Sequence, residues 1–185
     1  MMNTLDDLAR EIRTCRKCPL YKTRNQAVPG EGPENARFFL VGEAPGKKED
    51  ETGLPFVGIS GRFLERELER EGFKRSSFFI TGAVKCRPPK NRTPTQAEVK
   101  ACLPYTLKQI QLVDPDFLLL AGNTAIHAIA GKGYCVSKDS GKVIEKTVAG
   151  RIRKLVLMPH PAAAMRFPVM RNKFSDALRK LKKLA

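Results

Sequence analysis

The stretch FFLVGEAPGKKEDETGLPFVG, residues 38–58, sets the fold class of this chain. It opens with four consecutive apolar residues and continues into a segment in which Gly and Pro recur. A short, almost continuously apolar run is typical of a strand buried on both faces of a sheet, and a Gly- and Pro-rich segment indicates a loop of fixed shape. Similar apolar runs lie at residues 78–84, 117–121 and 155–158.

Helical patterns lie between and after these runs, at residues 60–71, 94–112, 123–130 and 171–184. The second of them begins at Thr93 and Pro94, which predict an N-cap followed by proline at the first helical position. Strands that alternate with helices indicate a parallel sheet covered on both faces. With no repeat or linker-like segment in the 185 residues, we predict an α/β fold, a three-layer α/β/α sandwich, as one domain over residues 1–185.

The composition favours a soluble protein with a polyanionic partner. Lys and Arg number 34 against 19 Asp and Glu, a formal net charge of +15. Nucleic acid is the expected partner, although a lysine-rich surface can also serve solubility or thermal tolerance. No apolar run approaches the roughly 18 residues that a membrane span needs, and the polar N-terminus predicts no secretory signal. We therefore expect a cytoplasmic protein that binds no membrane.

Four of the five cysteines are spaced as metal or cluster ligands. Cys15 and Cys18 form a C-x2-C pair, and fifteen residues separate Cys86 from Cys102. Together they supply the four thiolates that complete a tetrahedral set. The wide second spacing favours an iron–sulfur cluster over a zinc ribbon, with structural zinc and ordinary buried cysteines as the alternatives. Cys135 stands apart.

The loops that follow the strands carry the candidate chemistry, because sites in such sheets gather at the carboxyl ends of the strands. The carboxylates of Glu43, Glu49 and Asp50 can position a water molecule or stabilise a developing cation, or simply form a solvated acidic turn. Phe56, held between Pro and Gly, can stack on a nucleobase or plug the edge of the sheet. Neither a Walker A loop nor a G-x-G-x-x-G fingerprint is present, so no nucleotide cofactor is indicated.

His160 follows the last apolar run and precedes a proline. Its imidazole can donate a hydrogen bond to a developing oxyanion, or it can cap the strand end. The small residues after it allow the loop to press against DNA, with Met165 or Arg166 as a wedge.

Taken together, four segments resemble the iron–sulfur uracil-DNA glycosylases, the family 4 group of bacteria and archaea. They are CRKCPL (15–20), GEAPGKKEDETGLPFVGISGRFL (42–64), VKCRPPKNRTPTQAEVKAC (84–102) and MPHPAAAMR (158–166). The resemblance covers nearly the whole chain, in the family's order. It implies a central four-stranded parallel sheet and a monofunctional enzyme of base excision repair, which flips uracil out of DNA and hydrolyses its N-glycosidic bond to leave an abasic site.

The resemblance also assigns residues and partners. A 4Fe–4S cluster would be held by Cys15, Cys18, Cys86 and Cys102. Catalysis would involve Glu43, Glu49 and His160; uracil would be contacted by Glu43, Ala44, Phe56, Gly82, Asn91 and His160; and DNA would be contacted by Ser60, Met165 and Arg166. The expected protein is a nucleoid-associated monomer that acts on single- or double-stranded DNA containing uracil, with a sliding clamp as a possible partner.

Two positions bear on this assignment. Gly82 stands where better-known members carry an Asn whose amide bonds the Watson–Crick edge of uracil. The alternatives are therefore a glycosylase of altered specificity, acting on hypoxanthine or xanthine, and a non-catalytic iron–sulfur DNA-binding protein. Ala44 stands where another glycosylase family has a catalytic Asp, which agrees with family 4 and leaves open which group activates the water.

Overall fold

In a computed structural model of the chain, which describes residues 4–185, a five-stranded sheet forms the middle layer. Its strands are β1 (Phe38–Gly42), β2 (Phe78–Gly82), β3 (Phe117–Ala121), β4 (Val143–Val148) and β5 (Arg151–Met158). The order across the sheet is β2-β1-β3-β5-β4. The first four strands in that order are mutually parallel, and β4 pairs antiparallel with β5. The predicted four parallel strands therefore form, and β4 adds a fifth at the edge.

The helices cover both faces of this sheet. They are α1 (Leu5–Thr14), α2 (Lys47–Thr52), α3 (Ile59–Arg70), α4 (Gln96–Val113), α5 (Asn123–Ile129), α6 (Val136–Asp139), α7 (Pro161–Arg166) and α8 (Pro168–Leu184). Residues 1–3 of the polar N-terminus lie outside the described residues. No helix within residues 4–185 has both the length and the apolar composition required to cross a membrane.

The alternation of side chains along the strands explains the two helical layers. In β1, Phe38 and Leu40 pack in a core cluster with α3, α7 and α8. Phe39 and Val41 point to the other face and pack with α4 and α5. Successive residues of a strand project to opposite faces, so a strand between two helical layers needs apolar residues at every position. The α/β/α sandwich is confirmed.

Several local features differ from the sequence expectations. The segment after β1, expected to be a loop, contains α2, and the loop expected after His160 forms α7. Helix α4 begins at Gln96 with Thr95 as its N-cap, so the prediction of a cap at Thr93 is wrong. Thr95 and Glu98 form a capping box: the Thr95 hydroxyl accepts from the Glu98 amide at 3.2 Å, and Glu98 accepts from the Thr95 amide at 2.7 Å. Strand β4 was missed because charged Glu145 and Lys146 interrupt its apolar residues, as suits an edge strand.

The register of the sheet brings the functional loops together. Gly42 lies opposite Gly82, and Ala121 lies opposite Met158. The four parallel strands therefore end at one edge, and the loops that follow them leave the sheet side by side.

Candidate active site

A cavity of about 320 Å³ lies at this edge of the sheet. The loops after β1, β2 and β5 all contribute to its lining, as predicted from their positions. Of the predicted site residues, the structure brings together Glu43, Ala44, Glu49, Phe56, Ser60, Gly82, Asn91, His160 and Arg166. Met165 is not in the lining; it lies on α7 with 39% of its surface exposed.

Phe56 adopts a backbone conformation that is unusual for a bulky residue. Its φ is +52°, in the left-handed region, which costs about 1–2 kcal/mol for a residue with a Cβ. The ring lies over Gly42, where a Cβ would come within 2.5 Å of the ring, and its centroid is 5.8 Å from that of His160. Gly61 is equally constrained, because a Cβ there would lie 1.8 Å from the Phe56 carbonyl oxygen. The ring is partly buried against the core and also lines the cavity.

Glu49 is buried and holds the Phe56 loop through its carboxylate. One oxygen, Oε1, accepts from the amides of Val57 at 3.0 Å and Gly58 at 2.8 Å. The other, Oε2, accepts from the amide of Gly46 at 3.1 Å. Both oxygens are therefore engaged by backbone groups, and the side chain fixes the relative position of two loops.

Arg75 holds the same loop from the other side. Its guanidinium donates from Nη2 to the Pro55 carbonyl at 2.6 Å and from Nη1 to the Phe56 carbonyl at 3.3 Å. It also pairs with Glu31 at 2.6 Å. Sequence reasoning missed this residue, because one arginine among 34 cations carries no local signal that it reaches a loop almost twenty positions away.

His160 caps α7 with its ring. Its Nδ1 accepts from the Ala162 amide at 3.2 Å, which leaves the proton of the neutral ring on Nε2. Burial lowers the pKa of His160 to about 4, against an opposing effect of the Glu49 carboxylate. At neutral pH the side chain is therefore an uncharged imidazole whose Nε2–H is the donor available to a ligand in the cavity.

Glu43 follows β1 directly and is held by a residue at the start of α5. The hydroxyl of Thr124, in the first turn of α5, donates to Glu43 Oε2 at 2.6 Å. Thr124 brings in the start of α5, the helix that follows β3, which the sequence had not suggested as part of the site. With Oε2 fixed in this way, the orientation of the whole carboxylate is set.

Asn91 and Gly82 contribute from the loop after β2. Asn91 has a φ of +55°, and its Oδ1 accepts from Arg87 Nε at 2.7 Å, so its NH₂ group is the one left to donate. A Cβ at Gly82 would lie 2.7 Å from the Val84 carbonyl oxygen. The backbone around residue 82 is therefore too close to admit a side chain without a shift.

The four predicted ligand cysteines line one small cavity beside α1 and α4. Cys86 and Cys102 are buried, and Cys15 and Cys18 are half-buried against them. Burial raises the pKa of Cys102 to about 11, although Lys85 opposes this. Within residues 4–185, no group of three or more His, Cys, Asp or Glu side chains is placed so that it could hold a metal ion. Cys135 lies elsewhere, at the start of α6.

Lys85 lines the cysteine cavity and bonds to Gly82, which lines the active-site cavity. Its buried ammonium donates to Thr81 Oγ1 at 2.6 Å, the Gly82 carbonyl at 2.8 Å and Gln109 Oε1 at 2.8 Å. Burial lowers its pKa to about 7. Its backbone amide donates to Cys102 Sγ at 3.3 Å. A single residue thus supports the loop that contributes to both sites.

Comparison with known proteins agrees with this architecture. The family model of the uracil DNA glycosylase superfamily matches residues 29–182. The chain is 42% identical over 178 residues to a type-4 uracil-DNA glycosylase of Pyrobaculum aerophilum, covering 94% of this chain and 91% of that protein. It is 39% identical over 187 residues to the type-4 enzyme of Archaeoglobus fulgidus, covering 99% and 94%. A type-5 uracil-DNA glycosylase of Thermus thermophilus is 35% identical over 117 residues, 55% of this chain.

Proposed function

The chain belongs to the type-4 uracil-DNA glycosylases of the uracil-DNA glycosylase superfamily, and on that premise we propose how its own residues bind and release the base. It is a DNA repair enzyme that removes uracil by hydrolysing the N-glycosidic bond. The observation that carries the assignment of residues is the single cavity in which the Phe56 ring and the neutral His160 lie side by side.

Phe56 stacks on the flipped uracil. The target bond is inaccessible inside a duplex, so the nucleotide must leave the stack and enter a pocket, where an aromatic face replaces the neighbouring bases. The position of the ring over Gly42, at the end of β1, supports this role.

Asn91 contributes to recognition of the base edge. Because Arg87 occupies its Oδ1, Asn91 is left to donate through its NH₂ group. This group donates to the carbonyl oxygen at C4 of uracil. Cytosine has an amino group at C4, which is itself a donor and does not accept this hydrogen bond. Backbone amides of Glu43 and Ala44 supply further donors. Gly82 provides no side chain, so discrimination rests on these groups.

His160 stabilises the charge that develops as the bond breaks. The electron pair of the bond between sugar C1′ and uracil N1 passes to the base, and negative charge accumulates on O2. The neutral imidazole, whose Nδ1 accepts from Ala162, donates its Nε2–H to that oxygen. Preorganised donors of this kind supply a large part of many rate enhancements.

Glu43 orients the attacking water, and Glu49 acts as a positioning residue. The sugar left by the departing base is an electron-poor oxocarbenium-like centre, to which a carboxylate gives electrostatic support. Water forms the new bond to C1′ and loses one proton, which balances the proton that the released uracil anion takes up. Glu43 has one oxygen fixed by Thr124 and the other available. Glu49 has both oxygens engaged by backbone amides, which supports a role in holding the loops.

The DNA around the flipped nucleotide is contacted by Ser60, Met165 and Arg166. Ser60 and Arg166 line the cavity, and Met165 precedes Arg166 on α7 with an exposed side chain. An apolar side chain at the mouth of the pocket can fill the gap that the flipped base leaves, and the arginine neutralises a phosphate. We propose that the protein acts as a monomer on nucleoid DNA in the cytoplasm.

Cys15, Cys18, Cys86 and Cys102 would hold a 4Fe–4S cluster. All four cysteines line one small cavity beside α1 and α4, which supports their acting as one ligand set. When bound, the cluster would join three separate chain segments through iron–sulfur bonds. Arg24 supports such a site, since its Nη1 donates to Cys86 Sγ at 3.1 Å and to the Cys15 carbonyl at 2.9 Å.

The cluster is tested by measuring iron and acid-labile sulfide per chain after anaerobic purification. We expect about four of each in the native protein and in Cys135→Ser, and a loss of both in Cys86→Ser. A zinc-loaded protein without sulfide would overturn the assignment.

The function is tested by single-turnover cleavage of oligonucleotides that carry uracil, hypoxanthine, xanthine or cytosine. We expect rapid release of uracil alone. Release of hypoxanthine or xanthine instead would mean that Gly82 has changed the specificity, and binding without release would identify a non-catalytic DNA-binding protein.

A further inference from the structure

We propose that Arg75, anchored on Glu31, is a positioning residue for base binding: it holds the Phe56 loop in the one conformation in which the ring stacks on a flipped base. The inference rests on the proposed function, because it takes the stacking role of Phe56 as its starting point. Arg75 is not in the lining of the active-site cavity and touches no proposed substrate atom.

The loop around Phe56 is held from two sides by opposite charges. On one side, the Arg75 guanidinium donates to the carbonyls of Pro55 and Phe56. On the other side, the Glu49 carboxylate accepts from the amides of Val57 and Gly58. Four consecutive residues, 55–58, are thus fixed through their backbones: two carbonyls face the positive guanidinium, and two amides face the negative carboxylate.

The need for such a clamp follows from the backbone of Phe56. A φ of +52° is unfavourable for a bulky residue, so surrounding contacts must hold Phe56 in this conformation. Within residues 4–185, Arg75 makes the only hydrogen bonds to the carbonyls of residues 55 and 56. Without the guanidinium, these carbonyls turn to water and Phe56 relaxes toward an ordinary φ, which moves its ring.

The clamp has a rigid base. Glu31 pairs with the outer edge of β2: its amide donates to the Ile80 carbonyl at 3.0 Å, and its carbonyl accepts from the Ile80 amide at 2.7 Å. Arg75 lies in the turn immediately before β2. The ion pair between them is partly sheltered, with 19% of the Arg75 side chain exposed. Both partners are therefore attached to β2, and they fix the position of the Phe56 loop relative to the sheet.

The test is a double-mutant cycle with single-turnover kinetics on single-stranded oligonucleotides carrying uracil. Phe56→Ala should raise the substrate concentration for half-maximal rate by about 5- to 150-fold, the range for loss of one aromatic stack. Arg75→Gln should raise it at least about fivefold, with a smaller effect on the maximal rate. Arg75→Lys, which can reach one carbonyl, should recover part of the loss. In the Phe56→Ala background, Arg75→Gln should add less than about twofold.

Arg66→Gln is the matched control, because it removes an exposed arginine of α3 that makes no hydrogen bond to the loop. It reports the general loss of attraction between a less basic protein and DNA. If Arg75→Gln does not fold, Glu31→Gln removes the anchor's charge and keeps the guanidinium, and it should give the same non-additive pattern with a smaller amplitude.

The outcomes separate the two proposals. A normal Phe56→Ala enzyme would overturn the stacking role, and with it the premise. An impaired Phe56→Ala enzyme, together with an Arg75→Gln effect that equals that of Arg66→Gln or adds fully to that of Phe56→Ala, would overturn the clamp alone.

Discussion

Three substitutions of His160 separate its two hydrogen bonds. The ring accepts from the Ala162 amide through Nδ1 and presents Nε2–H to the cavity. Asn places its oxygen near the position of Nδ1 and keeps the helix cap but lacks the distant donor. Gln extends an NH₂ group toward the position of Nε2 and loses the cap. Ala removes both.

The expected magnitudes follow from these bonds. Loss of one preorganised donor to a developing oxyanion lowers the rate about 10²- to 10³-fold, equivalent to about 2.7–4 kcal/mol. We therefore expect His160→Asn and His160→Ala to be slow by this factor and His160→Gln to retain more activity. Loss of an N-cap lowers stability by about 1 kcal/mol, so Gln and Ala should be less stable than Asn.

The pH dependence provides a second expectation. The folded pKa of His160 is about 4, below the value of about 6.5 in an unfolded chain. Between these values the unfolded chain binds a proton that the folded protein excludes, so stability falls as the pH is lowered from 6.5 to 4, by at most about 3 kcal/mol. His160→Asn should lack this component. The uncharged imidazole is present throughout pH 5–8, so its titration should not limit the rate there.

The assays are single-turnover base release and urea unfolding, each from pH 4 to 8, on the native protein and the three variants. The reasoning would be refuted if His160→Asn kept full activity while His160→Gln was as slow as His160→Ala. A second outcome would also refute it: the native rate rises as the pH is lowered through about 6.5, and His160→Asn lacks this pH dependence.

Three further predictions concern other parts of the chain. The Arg92 guanidinium, followed by the Thr95 cap, lowers the pKa of Glu98 to about 2, so this carboxylate adds stability above pH 4.5 that is lost as the pH falls toward 2. Glu98→Gln should therefore lower the free energy of unfolding in urea at pH 7 by about 1–3 kcal/mol, toward the lower value because the half-exposed Arg92 leaves the ion pair screened by solvent. Near pH 2 the substitution should change the free energy of unfolding by nothing. An equal difference at both pH values would contradict this. Gly82→Asn should lower stability by about 1–3 kcal/mol and slow uracil release, because its Cβ would press on the Val84 carbonyl, and faster release would show that the loop admits an amide. Met165→Ala should raise the duplex concentration needed for half-maximal rate several-fold and leave single strands unaffected, and an equal effect on both would exclude a wedge.

The sequence predicts the central strands well because each is buried on both faces. Strand β3 is apolar at every position, and its predicted bounds, 117–121, agree with the structure. Strand β4 has one exposed edge, and charged Glu145 and Lys146 interrupt its apolar residues, so the pattern of a continuous apolar run is absent there. The start of α4 was misplaced by two residues because Thr93–Pro94 matches a helix start in isolation, whereas Thr95 also has Glu98 as its partner.

Most of the candidate site was also predictable, because Gly- and Pro-rich loops after parallel strands must meet at one edge. The residues that hold the site were not. Thr124 reaches Glu43 from 81 positions away, and Arg75 and Lys85 act through backbone carbonyls. Such contacts depend on how distant segments pack, which no local pattern in one sequence records.

The short segment at residues 30–32 links the resistance of the protein to aggregation with its activity. It covers the outer edge of β2, which would otherwise offer unpaired backbone groups to a strand from another molecule. It fits there closely, since a Cβ on Gly32 would lie 2.3 Å from the Phe78 carbonyl oxygen. Its Glu31 also anchors Arg75. When heating detaches this segment, Arg75 loses its anchor and the edge of β2 becomes exposed in the same event. Loss of activity and irreversible aggregation should therefore begin at the same temperature.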